Sequence, residues 1–218
     1  MADPPHARVG IDRRLAYFLV LMSVHSALLL TSTVAGSKMF ALPFGLTASA
    51  TVVSYMLTFI LLDTIAELYG RQFARFVINI GFLGMLLAAI YLQFSILLPP
   101  AEYWPDQSAF ETVLGSSWRI WLGGWAGYLL SQNFDLWSFL TLRQFAFGRK
   151  SLVIRAWISM LVGQLFDTIV FITVAFYGKV PIADAIAGQY VVKVGLAIVG
   201  SPLVSVAVRM GRSFVERR

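Results

Sequence analysis

Two stretches of this 218-residue chain carry glutamine followed three residues later by aspartate, each inside a long apolar run. They are Gln132 with Asp135, and Gln164 with Asp167. In an α-helix, residues three apart lie on one face, about one turn from each other. Each stretch therefore predicts an amide and a carboxylate side by side, a combination suited to hydrogen bonding of a polar ligand.

Two further apolar runs carry polar pairs four residues apart, a spacing that also shares a helix face. The first run holds Asp63 and Glu67, and the second holds Gln189 and Lys193. An ionisable side chain at the centre of a membrane helix costs about 3 kcal/mol unless it meets a partner or water. These pairs complete a candidate substrate-binding set of eight residues: Asp63, Glu67, Gln132, Asp135, Gln164, Asp167, Gln189 and Lys193.

The candidate set offers carboxylates as acceptors, amides as both donors and acceptors, and one lysine as a cationic donor. Such groups suit a flat polar ligand. A guanine-like edge presents neighbouring N–H donors beside a carbonyl oxygen, which a carboxylate and an amide would satisfy together. A metal site is disfavoured because glutamine is a weak ligand and no histidine accompanies the carboxylates. No cofactor is predicted.

Structural roles remain open for the same residues. Glu67 can pair with Arg71 at a spacing of four. The three aspartates can form structural ion pairs or be held neutral by burial, and the two central glutamines can bridge neighbouring helices by hydrogen bonds. For His25 and Gln93, which stand alone in their apolar runs, we favour a structural role.

Composition excludes an ordinary soluble domain. Apolar residues make up 58% of the chain and charged residues 13%, with a mean hydropathy of +0.76. Soluble domains carry about 25% charged residues. The absence of cysteine excludes thiol chemistry and disulfides. The net charge of +6 does not indicate nucleic-acid binding, because the basic residues flank apolar spans without interleaved aromatic residues.

Six apolar stretches are long enough to cross a hydrocarbon core of about 30 Å as helices. They cover residues 15–35, 47–69, 76–98, 118–142, 153–177 and 188–208, and residues 101–117 form an amphipathic segment suited to the lipid interface. The predicted fold class is an all-α integral membrane protein whose six-helix domain spans residues 15–208. Residues 1–14 and 209–218 form terminal segments.

Basic residues are distributed unevenly around these helices. Lys38, Arg119 and Lys179 belong to the connections on one side. The other side has thirteen: Arg8, Arg13, Arg14, Arg71, Arg75, Arg143, Arg149, Lys150, Arg155, Arg209, Arg212, Arg217 and Arg218. The positive-inside rule therefore places both termini in the cytoplasm.

This orientation sets the depth of the polar residues. Asp63 and the two glutamine–aspartate pairs fall near the middle of the bilayer or toward its cytoplasmic side, where they could converge on one cavity. Lys193 lies in the outer half of the sixth helix, where it either closes that cavity or pairs with a carboxylate. An enzyme is not predicted, since the chain has no Gly-x-Ser-x-Gly, His-Glu-x-x-His or P-loop motif.

Between Gly36 and Arg209 the chain resembles the queuosine precursor transporters, also called the vitamin uptake transporter family. The residues that carry the resemblance are Ser37, Lys38, Asp63, Thr64, Glu67, Tyr69, Gly70, Gln132, Asp135, Gly163, Gln164, Asp167, Thr168, Gln189, Tyr190, Lys193 and Pro202. The resemblance implies a multi-pass protein of the bacterial inner membrane. It also implies import of 7-cyano-7-deazaguanine, 7-aminomethyl-7-deazaguanine or both, as precursors for tRNA modification.

Two mechanisms follow. The first is a stand-alone carrier of the alternating-access type. The alternative is a substrate-capturing subunit driven by an ATPase partner, as in energy-coupling-factor systems, whose six-helix subunits the predicted bundle resembles. Small residues recur every four positions in the first helix at Ser23, Ala27, Thr31 and Ala35. We favour internal packing or a homodimer contact for this stripe over an ATPase partner.

Overall fold

The structure is a computed structural model that describes residues 12–35, 38–41, 47–115, 118–178 and 182–216. Several residues used in the sequence analysis lie outside these ranges. They are Arg8, Gly36, Ser37, Lys179, Arg217 and Arg218.

Eight helices and one short ribbon make up the described chain. In order they are α1 (Arg13–Ala35), β1 (Met39–Ala41), β2 (Thr47–Ser49), α2 (Thr51–Tyr69), α3 (Arg71–Leu97), α4 (Gln107–Leu114), α5 (Trp118–Leu142), α6 (Ala146–Lys150), α7 (Leu152–Phe176) and α8 (Ile182–Glu216). The strands pair antiparallel, with Phe40 opposite Ala48. The fold is therefore all-α apart from this ribbon, which lies between α1 and α2.

Within the described ranges, five helical segments are long and apolar enough to cross a membrane. They are α1, α2, α3, α7 and residues Ala185–Val215 of α8. Helix α5 has the length, at 25 residues, but is not among these five. Its polar residues Ser131, Gln132 and Asp135 are buried against other helices, whereas Asn133 is exposed.

Helix α2 is the centre of the bundle, since it packs against α1, α3, α5, α7 and α8. Its side chains are buried nearly continuously from Thr58 to Ala66. At one end of the bundle, the Tyr17 hydroxyl donates to the Ala207 carbonyl at 2.9 Å, so α1 begins where α8 ends. We call this end the terminal end, and the opposite end, which carries β1 and β2, the ribbon end.

Glycine brings α5 and α7 into close contact. A Cβ added at Gly163 would lie 3.0 Å from Asp135 Cβ, and one added at Gly127 would lie 2.9 Å from Asp167 Oδ1. Small residues allow helices to approach closely where lipid supplies no hydrophobic driving force. The glycines therefore set the separation at which the aspartates of α5 and α7 face their neighbours.

Several predicted helix bounds were wrong. Thr47, predicted as helical, lies in strand β2, because the ribbon pairs it with β1 across a loop that local apolarity does not reveal. The last helix, predicted over residues 188–208, runs from Ile182 to Glu216 and continues through Pro202. Beyond the predicted end, Gly211 is buried against Tyr17 of α1 and Leu68 of α2, so packing on these helices carries the last helix further.

The small-residue stripe of α1 is not used for packing within the described chain. Ser23, Ala27 and Thr31 are exposed, whereas α1 packs inward through Phe18 and Leu29 on its other face. Of the two roles predicted for the stripe, the structure does not support internal packing, and the homodimer contact stays a prediction. Residue size alone does not tell which helix face points inward.

Candidate functional site

Asp167 on α7 is bound by side chains from two other helices. Its Oδ2 accepts a hydrogen bond from Lys193 Nζ of α8 at 2.5 Å, and its Oδ1 accepts one from the Tyr55 hydroxyl of α2 at 3.1 Å. Lys193 is 4% exposed and Asp167 is 7% exposed. The prediction that Lys193 pairs with a carboxylate is confirmed, and the pair ties α7 to α8.

Gln132 and Gln164 lie fully buried beside α2 and are only half satisfied. Gln132 donates from Nε2 to the Thr58 hydroxyl at 3.1 Å, and Gln164 Nε2 lies 3.6 Å from the sulfur of Met56. Within the described chain, neither amide oxygen accepts a hydrogen bond. Buried acceptors are normally paired, so two vacant carbonyl oxygens mark this place as unusual.

These residues occupy one level of the bundle, which we call the amide–carboxylate site: Tyr55, Gln132, Gln164, Asp167 and Lys193. Their partners on α2 span about one helical turn, from Tyr55 to Thr58. An ionised carboxylate has about four lone-pair positions, of which Asp167 uses two. The site therefore offers spare acceptor capacity on one carboxylate and two amides, beside one cationic donor.

Asp63 and Asp135 form a second group, nearer the terminal end. Tyr55 and Asp63 are separated by about 12 Å along α2, given the rise of an α-helix. Gln132 of α5 contacts Thr58 of α2, and Asp135 and Asp63 follow these two residues by three and five positions, so the two carboxyls are neighbours in the bundle. Ser159 of α7 lies one turn before Gly163, which packs against Asp135. The structure thus divides the predicted aspartates between two levels. We call Asp63 and Asp135 the carboxyl pair.

Glu67 pairs with Arg155 of α7, not with Arg71, the partner that the sequence analysis left open. Gly70 explains the difference: its φ of 87° ends α2, so Arg71 begins a new helix and is exposed. Arg155 was counted as a topology signal, yet it is buried and stacks 4.3 Å from the centroid of the Phe139 ring. Arg212 of α8 approaches Glu67 at 3.8 Å from the exposed side.

The remaining candidates take separate places. Gln189 is half-buried one turn before Lys193 on α8, whereas Gln93 is exposed on α3. His25 is buried in α1, and neither ring nitrogen has a hydrogen-bond partner among the described residues. Tyr55 was missed by the sequence analysis, because a tyrosine in an apolar helix looks the same whether it faces lipid or a carboxylate.

Comparison with known proteins gives two matches. The family described as "Putative vitamin uptake transporter" matches residues 49–207. A protein of Bacillus subtilis (strain 168) named "Probable queuosine precursor transporter" is 32% identical over 171 residues, covering 77% of this chain and 74% of the relative. No solved structure matches the chain.

Proposed function

From the membership of this chain in the vitamin uptake transporter family, which the resemblance predicted, we propose a substrate. We propose that the protein carries a deazaguanine base across the membrane. The chain is a multi-pass membrane transporter. The substrates proposed are 7-cyano-7-deazaguanine and its aminomethyl relative. The name of the Bacillus subtilis relative supports a queuosine precursor as cargo.

The vacant amide oxygens of the amide–carboxylate site carry the proposal. A guanine-like edge presents N–H donors from its ring nitrogen and its exocyclic amino group. Asp167 accepts these donors through its unused lone pairs, while Lys193 remains its cationic partner. Gln132 and Gln164 accept further N–H groups or, with the amide turned, donate to the carbonyl oxygen of the base.

Transport requires the site to open to each side in turn. We propose that α5 forms the sixth span, that the protein lies in a bacterial inner membrane, and that both termini are on its cytoplasmic side. The basic residues at the terminal end support this orientation, because positive loops stay inside. The amide–carboxylate site then lies near the middle of the bundle, with Lys193 on its outer side, and Asp63, Asp135 and Glu67 lie between it and the cytoplasm.

Equilibrium binding to the purified protein tests the site. We expect the deazaguanines to bind and adenine, which presents the reverse pattern of donors and acceptors, to bind far more weakly. Asp167→Asn removes charge-assisted hydrogen bonds and should weaken binding roughly ten- to a hundred-fold. Gln164→Ala, which breaks no ion pair, should weaken binding about five-fold.

Matched variants control for non-specific effects. Gln93→Ala removes an exposed amide from α3, and Asp106→Asn neutralises an exposed carboxylate beside α4. Both should bind as the wild type does. Unchanged binding by Gln164→Ala and Asp167→Asn would place the ligand elsewhere.

A further inference from the structure

The carboxyl pair is buried inside the bundle without hydrogen-bond donors among the described residues. Asp63 and Asp135 are both 0% exposed, and no donor in the described ranges reaches any of their four oxygens. The Ser159 hydroxyl of α7 donates to the Ala156 carbonyl at 3.1 Å. Two carboxylates facing each other in a low-dielectric interior repel strongly when both are ionised.

We propose that Asp63 and Asp135 share one proton and form the ion-coupling site of the transporter. One proton supplies the donor that the four oxygens lack: one carboxyl becomes an O–H donor and the other remains its acceptor. Release returns both groups to carboxylates and passes the proton to water. Among the described residues, no group of three or more potential ligands could hold a metal ion, so a proton fits the site better than a divalent cation does.

The surrounding charges favour exchange of that proton toward the terminal end. Glu67 lies one turn beyond Asp63 on α2, and Arg155 of α7 pairs with Glu67. The buried Nε of Arg155 has no acceptor in the described chain. Arg212 of α8 approaches Glu67 and is exposed. On α1, His25 is the buried titratable residue among those described.

The arrangement places the Nε–H of Arg155, which is unpaired among the described residues, near the carboxyl pair, on its terminal side. When the terminal end opens to water, the Arg155 guanidinium can bind Asp63 in its carboxylate form, and the shared proton then leaves to water. Because Gln132 lies one turn before Asp135 on α5, a ligand that moves α5 also moves one half of the pair. Coupling to a base in this way rests on the proposed function, whereas the shared proton does not.

Infrared spectroscopy of the substrate-free protein in lipid, as the difference between spectra in ordinary and in deuterated water, tests for the shared proton directly. The wild type at neutral pH should show the C=O band of a protonated carboxylic acid, shifting in deuterated water. Asp63→Asn and Asp135→Asn should each shift the band, since the proton then has no second carboxylate to accept it. Asp106→Asn should leave it unchanged. A band at the wild-type position in either aspartate variant would overturn the shared proton.

Uptake of labelled 7-cyano-7-deazaguanine into vesicles tests the coupling, with the membrane potential clamped to zero. An inside-alkaline gradient of one pH unit should support about ten-fold accumulation if one proton accompanies each base. Asp63→Asn and Asp135→Asn should lose this accumulation, and the exchange of labelled for unlabelled base that they retain should not respond to the gradient. In the wild type, exchange without response to the gradient, or accumulation driven by sodium, would overturn proton coupling and leave the transport function intact. Absence of binding and exchange would instead refute the proposed function.

Discussion

Replacing Lys193 by methionine removes half of an ion pair that has little access to water. The side chains of Lys193 and Asp167 are 4% and 10% exposed, and their charged atoms are 2.5 Å apart. After Lys193→Met, the Asp167 carboxylate keeps only the Tyr55 hydroxyl at 3.1 Å. Breaking a buried pair in this way costs about 3 to 5 kcal/mol of stability, because one charge is left buried without its counterion.

The double variant should recover most of that loss. Asp167→Asn in the Lys193→Met background leaves no buried charge, and the new amide oxygen still accepts from Tyr55. Replacing a whole buried pair by neutral groups is often close to neutral for stability. We therefore expect the double variant to be more stable than Lys193→Met alone, with a coupling energy of at least about 2 kcal/mol between the two positions.

Equilibrium unfolding of the four proteins in one detergent measures this coupling. An exposed pair would give no more than about 1 kcal/mol. Additive losses within about 0.5 kcal/mol would show that Lys193 and Asp167 do not interact in the folded protein. That result would also remove the cationic partner from the proposed ligand site.

Three further predictions concern packing and topology. Gly163→Ala puts a methyl group 3.0 Å from one side chain and 3.1 Å from another, and should cost about 1 to 3 kcal/mol in an unfolding experiment. Gly195→Ala, which meets nothing within 4 Å, should be neutral or slightly stabilising in the same assay. Tyr128→Phe removes a buried hydrogen bond of 3.1 Å to a main-chain carbonyl of α3 and should cost about 1 kcal/mol, whereas the exposed Tyr91→Phe should cost none. A reporter fused after Arg218 should report the cytoplasm, and an external signal there would contradict the six-span orientation.

The polar residues of the site were predictable because a membrane makes them conspicuous. Asp63 and Asp167 interrupt apolar runs where a charge is costly, so their burial among partners follows from composition alone. The partners themselves were harder to predict. Tyrosine is common within membrane helices and arginine is common near their ends, so neither Tyr55 nor Arg155 stands out in the sequence. Only the three-dimensional arrangement shows that each faces a carboxyl.

The course of the backbone shows the same division. The body of α5 was predicted with its bounds, since lipid requires about 20 residues per span. The break at Gly70 was not used to separate α2 from α3, so Arg71 stayed open as a partner of Glu67. A positive φ at one glycine redirects the chain without changing its apolarity, and an apolarity pattern therefore cannot detect it.

Uptake by the purified chain alone tests the central claim most directly. Vesicles that contain this protein, no ATP and no other protein should take up labelled 7-cyano-7-deazaguanine, and excess unlabelled 7-aminomethyl-7-deazaguanine should compete. Gln93→Ala should transport as the wild type does, and Gln164→Ala should transport less at limiting substrate. Binding without uptake in these vesicles would contradict a stand-alone carrier, and failure to bind any deazaguanine would contradict the account as a whole.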